Sequence, residues 1–154
     1  MPNRLDDVPV HQQVVLKMGV ALFSGKASSV IEIGNILIDN GSDDLCDGGV
    51  WIWQINNGQV YYSPKFCNSL GFEYGELGEG FGGFDRGDAH QMAYGMGLID
   101  ELIENKSQSI FVNRIDYFKK DNTILPVLCS GTVFYKYNAP YYIVGTHKLI
   151  QTDG

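Results

Sequence analysis

Apolar positions along the chain change their period twice. Between Pro9 and Gly25, Val14, Val15, Met18, Ala21 and Leu22 recur at the spacing of one helix face. Pro9 suits a first helical turn, whose amides lack partners anyway, and Gly25 is a natural stop. Residues 1–8 are polar and read as a frayed end. A second helix is expected after Ser29. Ser29 and Glu32 have the spacing of a capping box, in which each side chain bonds the other's free backbone amide. Val30, Ile33 and Leu37 then share a face. The alternation Ile31-Glu32-Ile33 leaves a strand open as the alternative, and Asn40-Gly41 ends the segment. Residues 39–49 hold four aspartates and three glycines and read as the main internal linker.

Beyond it the texture becomes that of strands. Val50–Ile55 and Gln59–Tyr62 flank Asn56-Asn57-Gly58, where Asn-Gly supplies the two positive-φ positions of a type I′ turn. Ser63-Pro64 starts a short helix that carries Phe66, Cys67 and Leu70 and closes at Gly71. Residues 71–87 contain seven glycines and read as a pliant succession of turns. Asp88 caps a helix running to about Asn105, with Met92, Met96, Ile99 and Ile103 as its apolar stripe. Gly95 and Gly97 weaken that helix. Three strands follow, Ile110–Phe118, Thr123–Tyr135 and Tyr141–Gln151, with turns at Lys120-Asp121-Asn122 and Asn138-Ala139-Pro140. This order predicts an α+β domain with a five-stranded antiparallel sheet and helices packed on one face.

Composition narrows the function classes. A chain of 154 residues suits one domain. A net charge of −7 repels polyanions, so nucleic acid is not expected as a partner. No segment approaches the ~20 apolar residues that span a bilayer, and the N-terminus lacks a signal-peptide pattern. The expectation is a cytoplasmic chain with no membrane partner. Cys46, Cys67 and Cys129 are odd in number and form no CxxC pair, which predicts buried, reduced thiols rather than a disulfide framework or zinc site. The three histidines are far apart, and no nucleophile–base signature or HExxH is present. The glycines of 75–83 are not followed by Lys-Ser/Thr, and Glu76 and Glu79 would repel phosphate. An enzyme is therefore not expected.

Several fragments are similar to a known family. Gly49-Val50-Trp51-Ile52-Trp53, Val60-Tyr61-Tyr62-Ser63-Pro64, Leu70-Gly71-Phe72 and Glu76-Leu77 resemble the opening of a PAS domain. The subgroup is that of sensory-box domains with a G-x-W-x-W strand and a "ySp…lGy…eL" segment. Arg114-Ile115, Lys120-Asp121-Asn122 and Gly145-Thr146 resemble the family's closing strands. The likeness covers about residues 48–151 and leaves 1–47 as an N-terminal helical extension and linker. It implies a PAS-like sheet in the order 2-1-5-4-3 with a pocket between sheet and helices. It further implies a sensory role in signal transduction of the two-component or cyclic-dinucleotide kind. Its partners would be a small-molecule ligand, a second copy bound through the N-terminal helices, and a downstream effector protein or domain. Three positions depart from the pattern. The family's H-P-x-D is Phe84-Asp85-Arg86-Gly87-Asp88 here and keeps only the capping Asp. The hairpin Asp-Gly is Asp121-Asn122, acceptable because Asn tolerates the left-handed conformation. The closing D-I-T, which hands the signal to an effector, is replaced by Thr146-His147-Lys148-Leu149. That loss, with the end three residues after Gln151, implies a stand-alone sensor or a piece of a longer signalling protein.

The resemblance also frames the candidate chemistry. A flavin adduct needs cysteine in an Asn-Cys-Arg motif, whereas Cys67 sits in Phe66-Cys67-Asn68 on a different helix; flavin held without a covalent bond stays open. Haem would need a histidine on or just after the long helix, where His90 reads as solvated. His11, near a helix start, also reads as solvated. His147 aligns with a pocket-facing glutamine of flavin-binding relatives. Alternation from Gly145 turns it toward the helices, as a ligand contact or as a satisfied core histidine. Tyr117, Val127 and Cys129 face the pocket by the same alternation. Trp53 or Trp51 closes one end, only one of the two pointing inward. Met92 and Met96 form an adaptable wall. The expected ligand-binding set is thus Trp53, Met92, Met96, Tyr117, Val127, Cys129 and His147, although a plain core needs the same residues. Three readings follow: a sensor of a small, largely apolar molecule, a ligand-free dimerisation or docking module, and a haem- or flavin-bound redox or gas sensor.

Overall fold

The register of the sheet is set by its hairpins. The computed structural model describes residues 2–25, 27 and 29–151, the side chains of 2–9 and 23 apart. Strands β1 (Val50–Gln54), β2 (Gln59–Tyr62), β3 (Phe111–Phe118), β4 (Ile124–Lys136) and β5 (Ala139–Leu149) form one sheet in the order β2-β1-β5-β4-β3. Every neighbouring pair is antiparallel. The β1–β2 turn differs from expectation. Only Gly58 (φ 71°) is left-handed there, and Asn57 instead accepts the Gln59 amide on its side-chain oxygen at 3.0 Å. The paired positive-φ residues of a type I′ turn occur at Tyr137 (φ 53°) and Asn138 (φ 66°), one residue ahead of the expected β4–β5 turn.

Among the described residues five α-helices flank the sheet. α1 spans Pro2–Phe23, so residues 2–8 are helical rather than frayed. Hydrophobic spacing alone misplaced this start, because a polar first turn carries no apolar period. α2 (Val30–Asp39) resolves the helix-or-strand alternative. Ser29 Oγ accepts the Glu32 amide at 3.2 Å, and Val30, Ile33 and Leu37 are buried. Within the presumed linker a helical turn, α3 (Ser42–Leu45), buries Ser42 and Asp43. The Asp43 carboxylate accepts the Lys65 amide at 2.9 Å. α4 (Pro64–Ser69) and α5 (Ala89–Glu104) start at their expected caps, Ser63 and Asp88.

Strand alternation then builds two cores, one on each face of the sheet. Trp51, Val60, Tyr62, Ile115, Tyr117 and Ile143 lie under α4, the glycine-rich segment and α5. Val50, Ile52, Tyr61, Tyr142 and Val144 lie on the other face under α1 and α2, against Val14, Met18, Ile33 and Leu37. The N-terminal extension is therefore the second cover of the sheet. Ser63 ties β1 to α4. Its buried hydroxyl accepts the Val50 amide at 2.9 Å and the Phe66 amide at 3.3 Å. Ser63→Ala strands one buried donor and removes a helix cap, so unfolding free energy should fall by about 2 kcal/mol in a denaturant titration.

Candidate functional site

Two tryptophans and two glycines open a cavity between α5 and the sheet. Trp51 and Trp53 both point to the α5 face. The expectation that only one could do so is overturned, since residues two apart on a strand share a face. Trp51 lies across Gly145 of β5, and Phe111 across Gly131 of β4, where a Cβ at either glycine would occupy the ring's place. The rings therefore sit over the glycines, closer to the sheet than a larger residue would allow. On the helix side Gly95 is buried beside Asn113, so the inner line of α5 runs Met92-Gly95-Ile99. Met96, expected in that stripe, is 38% exposed at the cavity's edge. The cavity measures about 230 Å³. Phe81 and Phe84 of the glycine-rich segment close one end edge-on to the tryptophans: Trp51–Phe84 centroids are 4.9 Å apart and Trp53–Phe81 5.5 Å.

Of the seven expected residues, Trp53, Met92, Met96, Tyr117 and Cys129 line this cavity. Val127 faces the same core but is packed away from the opening. His147 also stands behind the lining. Its ring lies 5.1 Å from Phe66 and 5.3 Å from Tyr117, and its Nε2 accepts the Trp51 indole N–H at 3.1 Å. That bond leaves the ring proton of a neutral His147 on Nδ1. Phe111, Asn113 and Ile115 were missed, although alternation back from Tyr117 along β3 leads to each. Phe81 and Phe84 had no periodic signal to follow.

The cavity is apolar, and three of its lining residues carry polar atoms that are themselves shut off from the open space. Trp53 Nε1, Asn113 Oδ1 and Tyr117 Oη are buried with no hydrogen-bond partner among the described residues. Such groups are uncommon in a finished core, because each forfeits its bonds to water. Burial drives the Tyr117 phenol well above its ordinary pKa and the Cys129 thiol up to about 12, so both stay neutral. Asp85 is the one charged residue in the wall. His90 is exposed and outside the lining, and Cys67 is buried on α4, also outside it.

On the opposite face the structure corrects the reading of His11. It is 1% exposed, not solvated, and stands mid-helix in α1. Its Nδ1 lies 2.9 Å from Thr146 Oγ1 and its Nε2 2.8 Å from Thr132 Oγ1. A neutral imidazole donates to one hydroxyl and accepts from the other. Sequence could not show this, since a histidine on a helix takes its environment from whatever strand lies beneath. Thr146 and His147 are adjacent on β5, so one strand holds α1 on one side and Trp51 on the other.

No family model and no curated protein matches the chain. Solved structures do match. One is a sensory box histidine kinase/response regulator from Burkholderia thailandensis E264, with a TM-score of 0.57 and 16% identity over 75% of this chain and 82% of that one. Another is Drosophila melanogaster Cycle PAS-B with bound ethylene glycol, with a TM-score of 0.53 and 12% identity over 66% and 99%. A third is a Rhodobacter sphaeroides LOV protein, with a TM-score of 0.52 and 17% identity over 69% and 61%, so the chain spans under two thirds of that protein. With the strand order 2-1-5-4-3, these likenesses show that the chain has the PAS fold.

Burial also makes stability depend on pH. It lowers the pKa of His11 to about 4 and of His147 to about 3, against 6.5 for the free side chain. The unfolded chain therefore binds more protons than the folded one below pH 6.5, and stability is lost as the pH falls toward those values. Between pH 6.5 and 5, before most carboxylates titrate, each histidine should remove up to about 1.4 kcal/mol per pH unit. His11→Gln should halve that slope in denaturant titrations across the window.

Proposed function

We propose that this domain is a sensory module that takes a small molecule into the cavity beneath α5 and passes its occupancy to the N-terminal helices. The observation that carries the reading is the cavity itself, about 230 Å³ of largely apolar space lined by α5, the sheet and the glycine-rich segment. Five of its wall residues are those expected from strand and helix periodicity. A route to the outside is present in β5. Trp51 touches the cavity and holds His147, and the next residue back, Thr146, holds His11 of α1. A ligand that shifts Trp51 would favour one arrangement of α1 over another only by its difference in affinity for the two. The output would be a changed contact with a second copy or with an effector protein. The free cysteines, all buried, fit a reducing cytoplasm, and the wall holds binding groups rather than a nucleophile with its base.

A docking role without ligand is the second reading. It is favoured by Leu16 and Val20, each 70% exposed and one turn apart on α1. They form a ready apolar seam for another helix.

Native mass spectrometry of freshly purified protein separates the two. The sensory reading expects an added mass that disappears on denaturation. Gly95→Leu, which places a side chain against Asn113, should abolish that mass while the domain stays folded. If the wild-type protein carries no added mass and Leu16→Glu with Val20→Glu converts a dimer to monomer, the docking reading takes its place.

A further inference from the structure

We infer that the aromatic end of this cavity binds a small quaternary ammonium cation, a trimethylammonium head on a short tail. This assignment rests on the cavity being the ligand site of the proposed sensor, and it adds the chemistry of the guest.

Four rings meet at that end. Trp51 and Phe84 stand at 84° with centroids 4.9 Å apart, Trp53 and Phe81 at 85° and 5.5 Å, and Phe81 and Phe84 lie 6.1 Å apart. An edge-on pair leaves a corner bounded by one face of each ring, and ring faces attract cations. These groups are open to a guest. Phe81 is 43% exposed, Asp85 is exposed, and Trp53 and Phe84 are half-buried, all of them on the cavity's lining. The corner is also fixed in advance. The Tyr62 hydroxyl donates to the Gly80 carbonyl at 2.6 Å and accepts the Gly83 amide at 3.1 Å, which holds the chain that carries Phe81.

Charge selects the sign of the guest. Asp85 is the charged residue of the lining, with no Lys, Arg or His beside it there. Its amide donates to the Phe81 carbonyl at 2.8 Å, which sets it one turn from that ring. The neighbouring Arg86 is engaged by the Phe118 and Lys119 carbonyls. The net charge of −7 acts in the same sense as Asp85. Hydrogen bonding selects the quaternary form. The acceptors Asn113 Oδ1 and Tyr117 Oη are closed off from the space, so the N–H groups of a primary ammonium would lack partners inside it. A trimethylammonium head carries no N–H and spreads its charge over methyl groups, which lowers the cost of leaving water. Size agrees. A cavity of ~150 Å³ holds benzene, a molecule of similar bulk to that head. The 230 Å³ or so present here leaves room for a short tail.

The test is isothermal titration calorimetry of the whole chain with three probes. They are choline, its neutral carbon isostere 3,3-dimethyl-1-butanol, and ethanolamine, which lacks the methyl groups. Choline should bind saturably and about tenfold or more tighter than either of the others. Asp85→Asn and Phe81→Leu, both at exposed positions, should each weaken choline about fivefold and change the isostere by less than about twofold. Equal binding of choline and its isostere by the wild-type protein would overturn the cation assignment and leave the sensory reading standing. So would ethanolamine binding as tightly as choline, or both variants binding choline as the wild type does. If none of the three binds, a bound mass in the native spectrum leaves the sensory reading standing without the cation, and no bound mass overturns both.

Discussion

The structure depends on one strand being covered on both sides. β5 lies between β1 and β4, and Tyr142 through His147 are buried without a break. Every side chain there is committed to one of two cores. At Gly145 the absence of a side chain lets the Trp51 indole rest on the backbone. At Thr146 a hydroxyl meets His11 across the sheet's other face. At His147 the ring takes the Trp51 N–H. Three successive residues thus fix the tryptophan that bounds the cavity and the helix that covers the sheet. Both contacts thus bear on the same short stretch of β5.

The cavity follows from the same constraint. Rings seated over Gly145 and Gly131 approach the backbone more closely than they could over a larger residue. α5 presents Gly95 rather than a large side chain to this region. The helix cannot close down, because Met92 and Ile99 already bear on the strands. Space therefore remains between two well-packed supports, with Asn113, Tyr117 and Trp53 among the residues that line it. A chain selected only for stability would gain by filling such a space with larger apolar groups. A space left open in this way supports the sensory reading proposed for the domain.

Charge is managed by exclusion. The two buried histidines stand in places that favour the neutral form, one on each face of the sheet. The buried thiols are held protonated, so Cys129 in the cavity wall is a neutral group.

Much of this was legible in the sequence, because it depends on neighbours along the chain. Caps at Ser29, Ser63 and Asp88, the strand positions and the five-stranded order followed from local chemistry and a family likeness carried by short motifs. So did the inward set Trp53, Met92, Tyr117 and Cys129, since a period of two on the strands and of 3.6 on α5 places residues on a face whatever that face meets. What the sequence could not settle were contacts between residues far apart in the chain. His11 read as solvated because the threonines beneath it lie 121 and 135 positions away. His147 faced inward as expected, yet Trp51 lay in the way of the cavity. Periodicity names the face of an element, but only the packing of one element on another decides whether a side chain on that face meets a partner, a wall or an open space.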